Sequence, residues 1–304
     1  MKKILVTGGT IFVSKYVAEY YVARGDEVYV LNRNRHSQSE GTILIEGDRH
    51  KLGTTLKKYE FDVVLDITSY TSEDIMLLVE ALSNIRDYIF ISSGAVYPET
   101  LQQPFQEYQQ IGNNKYWGIY GSNKVKAERE LLKKVPDAYI LRPSYLYGPM
   151  NNLYREAFVF ECARLNRKFY LPENADMKLQ FFYVKDLCSC IDSILEKHPQ
   201  THIFNVGNED LYTIREWVEL CYMIMGKIPQ FVEVSKDVDQ SNYFSFNDYE
   251  HILDVSMQKE ELIKDTFPFQ EGLEKSYAWY KEHQGDVKRK GYIEFIDQMY
   301  GSNF

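Results

Sequence analysis

A tyrosine and a lysine lie four residues apart, at Tyr120 and Lys124. Residues at this spacing share one face of a helix, so the lysine can hold a cation near the phenol. A free tyrosine has a pKa of about 10, and a nearby ammonium favours its phenolate. The phenolate can take a proton from a substrate hydroxyl while a hydride leaves the same carbon. The pair predicts hydride-transfer chemistry, although the spacing also arises by chance in a chain with 25 tyrosines.

A serine precedes this pair at the end of a predicted strand. Ser93 follows the apolar residues 88–92. We predict that its hydroxyl binds the oxygen that Tyr120 deprotonates and stabilises the charge forming there. Lys124 can also reach the nicotinamide ribose of a dinucleotide. The predicted catalytic residues are therefore Ser93, Tyr120 and Lys124, and the last two are also predicted cofactor contacts.

A glycine turn connects the first predicted strand to the first predicted helix. Backbone N–H groups and the helix dipole favour a pyrophosphate at such a place, and glycine permits its close approach. Ile11 and Ser14 stand where the second and third glycines of the usual fingerprint are expected. A plain strand–turn–helix connection is the alternative. The predicted cofactor contacts of this turn are Gly8, Gly9, Thr10, Ile11 and Phe12.

The segment after the second predicted strand bears on the choice of cofactor. An acidic residue there would bind the ribose hydroxyls of NAD, whereas Asn32, Arg33 and Arg35 suit a 2′-phosphate. The segment therefore favours NADP over NAD, with solvated loop charges as the alternative for both arginines. Asp48 follows the third strand and is predicted to receive the adenine amino group, unless it only forms a turn. Arg49 beside it is a further predicted cofactor contact.

Apolar stretches of two kinds alternate along the first half of the chain. They predict strands at 3–7, 27–31, 42–46, 63–67, 88–92, 138–142 and 202–206, and helices at 12–24, 51–59, 73–83 and 116–134. This alternation predicts an α/β fold with a doubly wound parallel sheet, the Rossmann fold. The carboxyl ends of such strands form the ligand crevice, onto which Thr7, Thr68 and Ser93 are expected to open. Thr68 is accordingly a predicted cofactor contact.

The second half is less regular. Thr213 and Glu216 have the spacing of a capping box before an apolar helix at 217–225, and a further helix is predicted at 271–283. Residues 167–180 and 229–243 are predicted to be irregular, substrate-facing loops. We predict a dinucleotide-binding domain at 1–165 with its last strand near 202–206, a smaller interleaved substrate-binding α/β part at 166–284, and a C-terminal extension at 285–304. The basic cluster at residues 288–290 is expected to be a solvated face.

Composition limits the partners. The 304 residues carry a net charge of −9, which argues against a general nucleic-acid or anionic-membrane surface. No apolar run has membrane-spanning length, and the first residues do not resemble a secretory signal. The six histidines lack metal-ligand spacing, so no metal site is predicted. The four cysteines include no Cys-x-x-Cys pair and favour buried thiols in a reducing cytoplasm. We expect a cytoplasmic protein whose partner is a small-molecule substrate.

Taken in order, these motifs resemble the short-chain dehydrogenase/reductase superfamily, specifically its extended and atypical branches, which include enzymes like UDP-galactose 4-epimerase. The resemblance covers roughly residues 1–284. It rests on TGGT at 7–10, GD at 47–48, SS at 92–93 with VY at 96–97, the pair at 120 and 124, LRP at 141–143 with YGP at 147–149, FYVKDL at 182–187 and FNVG at 204–207. It implies catalytic roles for Ser93, Tyr120 and Lys124. Cofactor positions fall at Gly8, Thr10, Phe12 and Asp48, with Pro143 flanking the nicotinamide.

The resemblance implies a nucleotide-sugar epimerase that transfers a hydride to NAD(P) and back through a keto sugar. The implied substrate contacts are Ser93, Tyr97, Tyr147, Arg155 and Lys178, although Arg155 and Lys178 also read as solvated charges. Related dehydratases carry an Asp-Glu pair where this chain has Gly94 and Ala95, which argues against a dehydratase. Family members often dimerise through two long helices, here about 74–83 and 116–134, so a homodimer belongs to the expectation.

Two other functions stay open. One is an NADPH-dependent reductase or dehydrogenase acting on a sugar or a related carbonyl compound. The other is a non-catalytic dinucleotide-binding regulator or RNA-associated scaffold, because Ile11 and Ser14 resemble atypical members such as relatives of the chloroplast stem-loop-binding proteins. The charge of −9 weighs against RNA, and the Tyr120–Lys124 pair weighs against an inactive site.

Overall fold

The computed structural model describes residues 1–301. Its strands are β1 (Lys3–Thr7), β2 (Glu27–Asn32), β3 (Ile43–Glu46), β4 (Val63–Asp66), β5 (Asp87–Ile91), β6 (Tyr139–Pro143), β7 (Tyr145–Tyr147), β8 (Phe169–Pro172), β9 (Lys178–Tyr183), β10 (Ile203–Val206), β11 (Leu211–Thr213) and β12 (Phe231–Val234). Its α-helices are α1 (Phe12–Ala23), α2 (Ser72–Ala81), α3 (Gly118–Lys134), α4 (Glu156–Arg164), α5 (Val184–Lys197), α6 (Ile214–Met223), α7 (Phe269–Glu282) and α8 (Tyr292–Tyr300).

Seven strands form one parallel sheet in the order β10-β6-β5-β4-β1-β2-β3. Helices α1 and α5 bury their apolar residues against one face, as Val17 and Ile191 do, and α2 and α3 cover the other with Leu78 and Leu131. The chain leaves β1 toward β2 and β3, then returns to β4 on the other side. This reversal places a crevice between the carboxyl ends of β1 and β4. The predicted doubly wound α/β fold is confirmed.

Thr7 joins the two strands at this reversal. It is fully buried, its hydroxyl donates to Asp66 (2.9 Å), and it accepts the backbone N–H groups of Ile67 (2.9 Å) and Thr68 (3.0 Å). The side chain therefore fixes β1 to β4 and does not open onto the crevice as expected. Thr68, one residue further from the strands, does line it.

The rest of the chain builds a second core beside the sheet. Two small sheets, β11-β9-β7 and β12-β8, pack with α4, α6, α7 and α8. Trp217, Phe181 and Phe269 are buried in this core with many other rings, whose centroids lie 4–7 Å apart in stacked, tilted and edge-on pairs. Many of the abundant aromatic residues are therefore core residues of this part.

Three predicted elements need correction. Instead of a helix at 51–59, the chain forms two short 3-10 turns at Arg49–Lys51 and Thr55–Lys58, because Gly53, at φ +50°, interrupts the backbone between them. Residues 167–180 contain β8 and the start of β9, and residues 229–243 contain β12, so neither segment is simply an irregular loop. Both segments look polar because charged residues flank each short strand.

The capping box at the start of α6 is confirmed. The Thr213 hydroxyl accepts the N–H of Glu216 (3.1 Å), and the Glu216 carboxylate accepts the N–H of Thr213 (2.8 Å). Thr71 and Asp74 make the same reciprocal pair at the start of α2. These caps satisfy N–H groups that a helix leaves without internal partners.

The segment after residue 284 packs on the second core. Val287, Tyr292 and Ile296 are buried there, so helix α8 is anchored by its apolar face. The predicted division of the chain into 1–165, 166–284 and 285–304 stays a prediction, and residues 302–304 lie outside the described part. None of the helices described has the length and apolar character needed to cross a membrane.

The basic cluster at 288–290 is exposed at all three positions, as predicted for a solvated face. Lys288 also lines the main cleft, Arg289 forms an ion pair with Glu161, and Lys290 lies over the Tyr292 ring at 5.5 Å. The adjacent cations gave no sign of the first two of these contacts, because the cleft and Glu161 are formed by residues distant in sequence.

Candidate active site

A cleft of about 580 Å³ opens at the carboxyl ends of β1, β4 and β5. Gly8, Thr68 and Ser93 line it from the sheet, and Tyr145 and Arg155 line it from the second part of the molecule. Within residues 1–301 no acidic side chain lines this cleft, whereas three cationic ones do, namely Lys124, Arg155 and Lys288. The cleft of an acidic protein is thus locally basic, which favours an anionic ligand.

The glycine turn has the geometry that a pyrophosphate requires. Gly8 and Gly9 adopt φ of +95° and +87°, and a Cβ on Gly9 would lie 2.4 Å from a methyl carbon of Val30. Helix α1 then begins without a side-chain cap and without an acidic residue in its first turn. Its first N–H groups are therefore left for an anion, so this end of the cleft fits the diphosphate of a dinucleotide.

The two departures from the glycine fingerprint are accommodated differently. Ser14 is buried, and its hydroxyl donates to the Ile11 carbonyl (2.9 Å), so it preserves close packing of the helix on the turn. Ile11 is 36% exposed and lines the cleft together with Thr10 and Phe12. Phe12 has a φ of +38°, which is rare for a bulky residue and occurs where surrounding structure enforces it.

The residues predicted to select the cofactor lie outside the cleft lining. The Asn32 amide donates to the Gly8 carbonyl (2.8 Å), so it supports the glycine turn from behind. Arg33 and Arg35 are exposed after β2. Asp48 accepts the backbone N–H of His50 (3.1 Å), in agreement with the turn-forming alternative.

Arg49 contacts polar side chains at the end of β4 and just after it. It donates to the Thr68 hydroxyl (2.9 Å) and lies 3.4 Å from the buried Asp66 carboxylate. The guanidinium therefore joins the ends of neighbouring elements around β4. Its predicted contact with a cofactor stays a prediction, as do those of Asn32, Arg33, Arg35 and Asp48.

Ser93 and Tyr120 meet in the cleft. Ser93 caps a short 3-10 turn at Gly94–Val96, where its hydroxyl accepts the N–H of Ala95 (3.2 Å), and it lines the cleft together with Tyr120. Burial raises the pKa of Tyr120, whereas the nearby Ser93 hydroxyl and the positive charge of Arg155 lower it. Tyr120 as a whole residue is 38% exposed.

Lys124 also lines the cleft, but its ammonium is held from behind. It donates to the carbonyls of Ser69 (2.8 Å) and Ile91 (2.9 Å) and lies over the rings of Tyr70 and Phe90. Burial lowers the pKa of Lys124 to about 8, against the opposing effect of nearby carboxylates. We expected this ammonium to favour the Tyr120 phenolate. The Lys124 ammonium donates toward the ends of β4 and β5, and its predicted role beside the Tyr120 phenol stays a prediction.

Of the predicted substrate contacts, Ser93 and Arg155 are in the cleft and three others are not. Tyr97 is fully buried, donates to Asn205 (2.8 Å) and accepts from Arg142 (2.7 Å). Tyr147 is fully buried in the second core, and Lys178 is exposed at the start of β9, outside the cleft lining. The motif that contains Tyr147 contributes the cleft residues Pro143 and Tyr145 instead.

Sequence reasoning missed several residues of the cleft, among them Trp117, Tyr145, His251 and Lys288. Trp117 lies one helical turn before Tyr120, so its position could have been found from that spacing. Tyr145 lies next to a recognised motif, whereas His251 and Lys288 carry no local signal. His251 is buried, its ring nitrogen lies 2.9 Å from the Gly94 carbonyl, and burial lowers its pKa to about 4.

The fold and cleft together define a dinucleotide-binding enzyme of the Rossmann type, with a serine and a tyrosine at the reacting end. The model of the NAD dependent epimerase/dehydratase family matches residues 4–207. The chain belongs to this family, whose members are enzymes of the short-chain dehydrogenase/reductase type. The family predicted from the motifs is thereby confirmed.

The individual relatives share low sequence identity with this chain. The chain is 27% identical over 301 residues to the chloroplast stem-loop binding protein of 41 kDa b from Arabidopsis thaliana, covering 91% of this chain and 78% of that protein. It is 20% identical over 364 residues to the dTDP-D-glucose 4,6-dehydratase of Dictyostelium discoideum, covering 93% and 82%.

Solved structures show the same architecture. UDP-glucose 4-epimerase from Thermotoga maritima, crystallised with UDP-glucose, superposes with a TM-score of 0.76 at 18% identity, covering 93% of this chain and 99% of that one. The Bordetella bronchiseptica enzyme WbmG, solved with NAD, superposes with a TM-score of 0.79 at 17% identity, covering 94% and 96%. At these identities the likeness shows the fold alone.

Proposed function

We propose that this protein is an NAD-dependent epimerase of a nucleotide sugar. The observation that carries the proposal is the placement of Ser93 and Tyr120 together in one cleft whose other end fits a diphosphate. Gly94 and Ala95 leave no acidic residue beside Ser93 to assist elimination of water, which supports epimerisation over dehydration.

The residues of the chain have separate tasks in this reaction. Tyr120 takes the proton of the sugar hydroxyl that is oxidised, and Ser93 donates a hydrogen bond to the same oxygen. When bound, NAD supplies the hydride acceptor and donor for a closed cycle. Lys124 would face its nicotinamide ribose, and the N-terminus of α1 its diphosphate. The keto sugar turns over in the cleft, and Tyr120 returns the proton when the carbon is reduced on its opposite face.

Exchange of Tyr120 for phenylalanine tests the proposal. The variant keeps the ring and loses the acid/base group, so turnover of nucleotide sugars should fall by roughly 10²–10⁴-fold while dinucleotide binding stays unchanged. Tyr108→Phe is the matched control, because Tyr108 is 81% exposed and lies outside the cleft lining. Product analysis by NMR measures turnover, and native mass spectrometry measures the bound dinucleotide. Unchanged activity of Tyr120→Phe would reject this mechanism.

A reductase is the second candidate. Arg33 and Arg35 are exposed after β2, where the 2′-phosphate of NADP would lie, and a reductase consumes NADPH. Native mass spectrometry of freshly purified protein separates the two candidates. NAD retained at about one per chain supports the closed cycle of an epimerase, whereas protein without dinucleotide supports an enzyme that exchanges its cofactor.

A non-catalytic role is the third candidate, and the stem-loop binding relative favours it. In that case neither nucleotide sugars nor keto sugars with NADPH would be turned over, and Tyr120→Phe would have no effect on any binding activity. The basic lining of the cleft is limited to three side chains, which fits a small anion better than a folded RNA.

A further inference from the structure

The reacting end of the cleft contains a cluster of hydrogen-bond donors without acceptors. The indole N–H of Trp117 and the hydroxyl of Tyr145 are buried and have no hydrogen-bond partner, and Tyr145 as a whole is 9% exposed. Both residues line the cleft. Buried donors without partners cost free energy, so their retention indicates a ligand that accepts from them.

Arg155 completes this cluster. Its guanidinium carbon lies 5.0 Å from the Tyr145 ring centroid and 5.5 Å from that of Phe246. Within residues 1–301 no carboxylate forms a salt bridge with it, because the adjacent Glu156 accepts from the Asn151 amide (3.0 Å) instead. A planar fork of N–H donors therefore faces the cleft from a position where it stacks on aromatic rings, which holds it in orientation.

The position of the cluster identifies which end of a ligand it meets. The Trp117 ring lies 6.0 Å from the Tyr145 ring, and the N–H of Tyr120 donates to the Trp117 carbonyl (3.2 Å). Arg155 is close enough to Tyr120 to lower the pKa of its phenol. The glycine turn, where a diphosphate of the cofactor fits, belongs to the other end of the cleft. Arg155 therefore belongs to the same end of the cleft as Ser93 and Tyr120.

We propose that the reacting sugar carries a carboxylate, and that Arg155 binds it while Trp117 and Tyr145 donate to the same end of the ligand. The substrate class is then a nucleoside-diphosphate uronic acid or a similarly acidic sugar. A guanidinium binds a carboxylate through two parallel hydrogen bonds, and no acidic side chain of the described cleft opposes it. This inference rests on the proposed function and makes its substrate more specific.

Pairs of nucleotide sugars that differ in the presence of a carboxylate test this inference. Turnover and binding are measured for UDP-glucuronic acid against UDP-glucose, and for GDP-mannuronic acid against GDP-mannose, with the full-length protein and NAD. The acidic member of a pair should be used about tenfold better or more, as judged by kcat/KM. In Arg155→Met this preference should disappear, because kcat/KM should fall at least about tenfold more for the acid than for the neutral sugar.

Two further variants keep the test selective. Arg155→Lys retains the charge but not the fork, so it should restore only part of the preference. Arg86→Met is the matched control, because Arg86 forms a surface ion pair with Asp62 outside the cleft lining. Thermal unfolding of each variant checks that the fold is retained, since Arg155 also stacks on two rings.

The outcomes separate this inference from the proposed function. Equal use of acidic and neutral sugars by the wild type would overturn the carboxylate assignment and leave the epimerase intact. A uniform loss for both sugars and for UDP alone in Arg155→Met would place Arg155 on the substrate diphosphate, which also overturns it. Absence of turnover with every pair would reject the proposed function itself, and the inference with it.

Discussion

The two ends of the cleft present different kinds of chemical group to a ligand. At the end proposed to bind the dinucleotide, the groups available to a ligand are backbone N–H groups, from the turn at Gly8 and Gly9 and from the uncapped start of α1. At the end proposed for the reaction they are the side chains of Trp117, Tyr145 and Arg155, which come from separate elements of the chain.

This difference explains why the ends tolerate change differently. Backbone N–H groups are the same in every sequence, so the first end is sensitive to substitutions that alter the path of the chain and tolerates Ile11 in place of a glycine. The second end depends on the identity of each side chain and on the packing that brings it there. Substrate choice can therefore differ between relatives that share the same cofactor turn.

The strongest test of the backbone end is Gly9→Ala. The added Cβ would lie 2.4 Å from a Val30 methyl, and φ of +87° is unfavourable for alanine. We expect a loss of stability of roughly 1–3 kcal/mol or more and at least about tenfold weaker dinucleotide binding, measured by calorimetry and urea unfolding.

Gly25→Ala is the matched control for that change. Gly25 has a similar φ of +85°, but a Cβ there would meet no atom within 4 Å. It shares the backbone penalty without the clash, and it lies far from the turn in the connection between α1 and β2. If Gly9→Ala bound NAD as the wild type does, a backbone origin of cofactor binding would be untenable.

Lys124→Met tests the link between the two ends. The change leaves the carbonyls of Ser69 and Ile91 without the Lys124 donor. We therefore expect the free energy of unfolding to fall by at most about 1–3 kcal/mol for each carbonyl, and we expect turnover to decrease. Lys126→Met, an exposed position on the same helix, is the control.

The pH dependence of that loss has a definite sign. The folded-state pKa of Lys124 is lowered to about 8, below its unfolded value of about 10.4, so the unfolded chain binds more protons between these values. Wild-type stability should therefore gain from Lys124 as the pH rises from 8 toward 10, and its advantage over Lys124→Met should widen. A constant difference in urea unfolding across this range would contradict the assignment.

The smallest expected effect concerns the exposed arginines. If Arg33 and Arg35 bind the 2′-phosphate, replacing both with alanine should weaken NADP binding about tenfold and leave NAD binding unchanged. Arg86→Ala serves as the control for a general loss of surface charge. Equal affinity for NADP before and after the double change would remove the argument for an NADP preference.

The sheet was predictable because its signals are local. Each buried strand is a short apolar run, and each covering helix repeats apolar residues at its own period, so Lys3–Thr7 and Gly118–Lys134 were anticipated within a few residues. The reciprocal cap of Thr213 and Glu216 was equally readable from spacing. The strands β8 and β12 were missed because each has four residues among charged neighbours, and they gain stability only by pairing with each other.

The candidate site also contains residues that the sequence predicted and residues that only the structure revealed. The glycine turn, Ser93 and the Tyr120–Lys124 spacing were visible in the sequence because each depends on neighbours along one strand or one helix. The sequence by itself thus determined the fold class and the type of chemistry. Only the tertiary structure decided that Tyr97 and Tyr147 are buried, that the carbonyls of Ser69 and Ile91 hold the Lys124 ammonium, and that His251 and Lys288 reach the cleft. The contact of His251 with Gly94 joins residues 157 positions apart, and no local pattern encodes it because packing of separate elements alone brings them together.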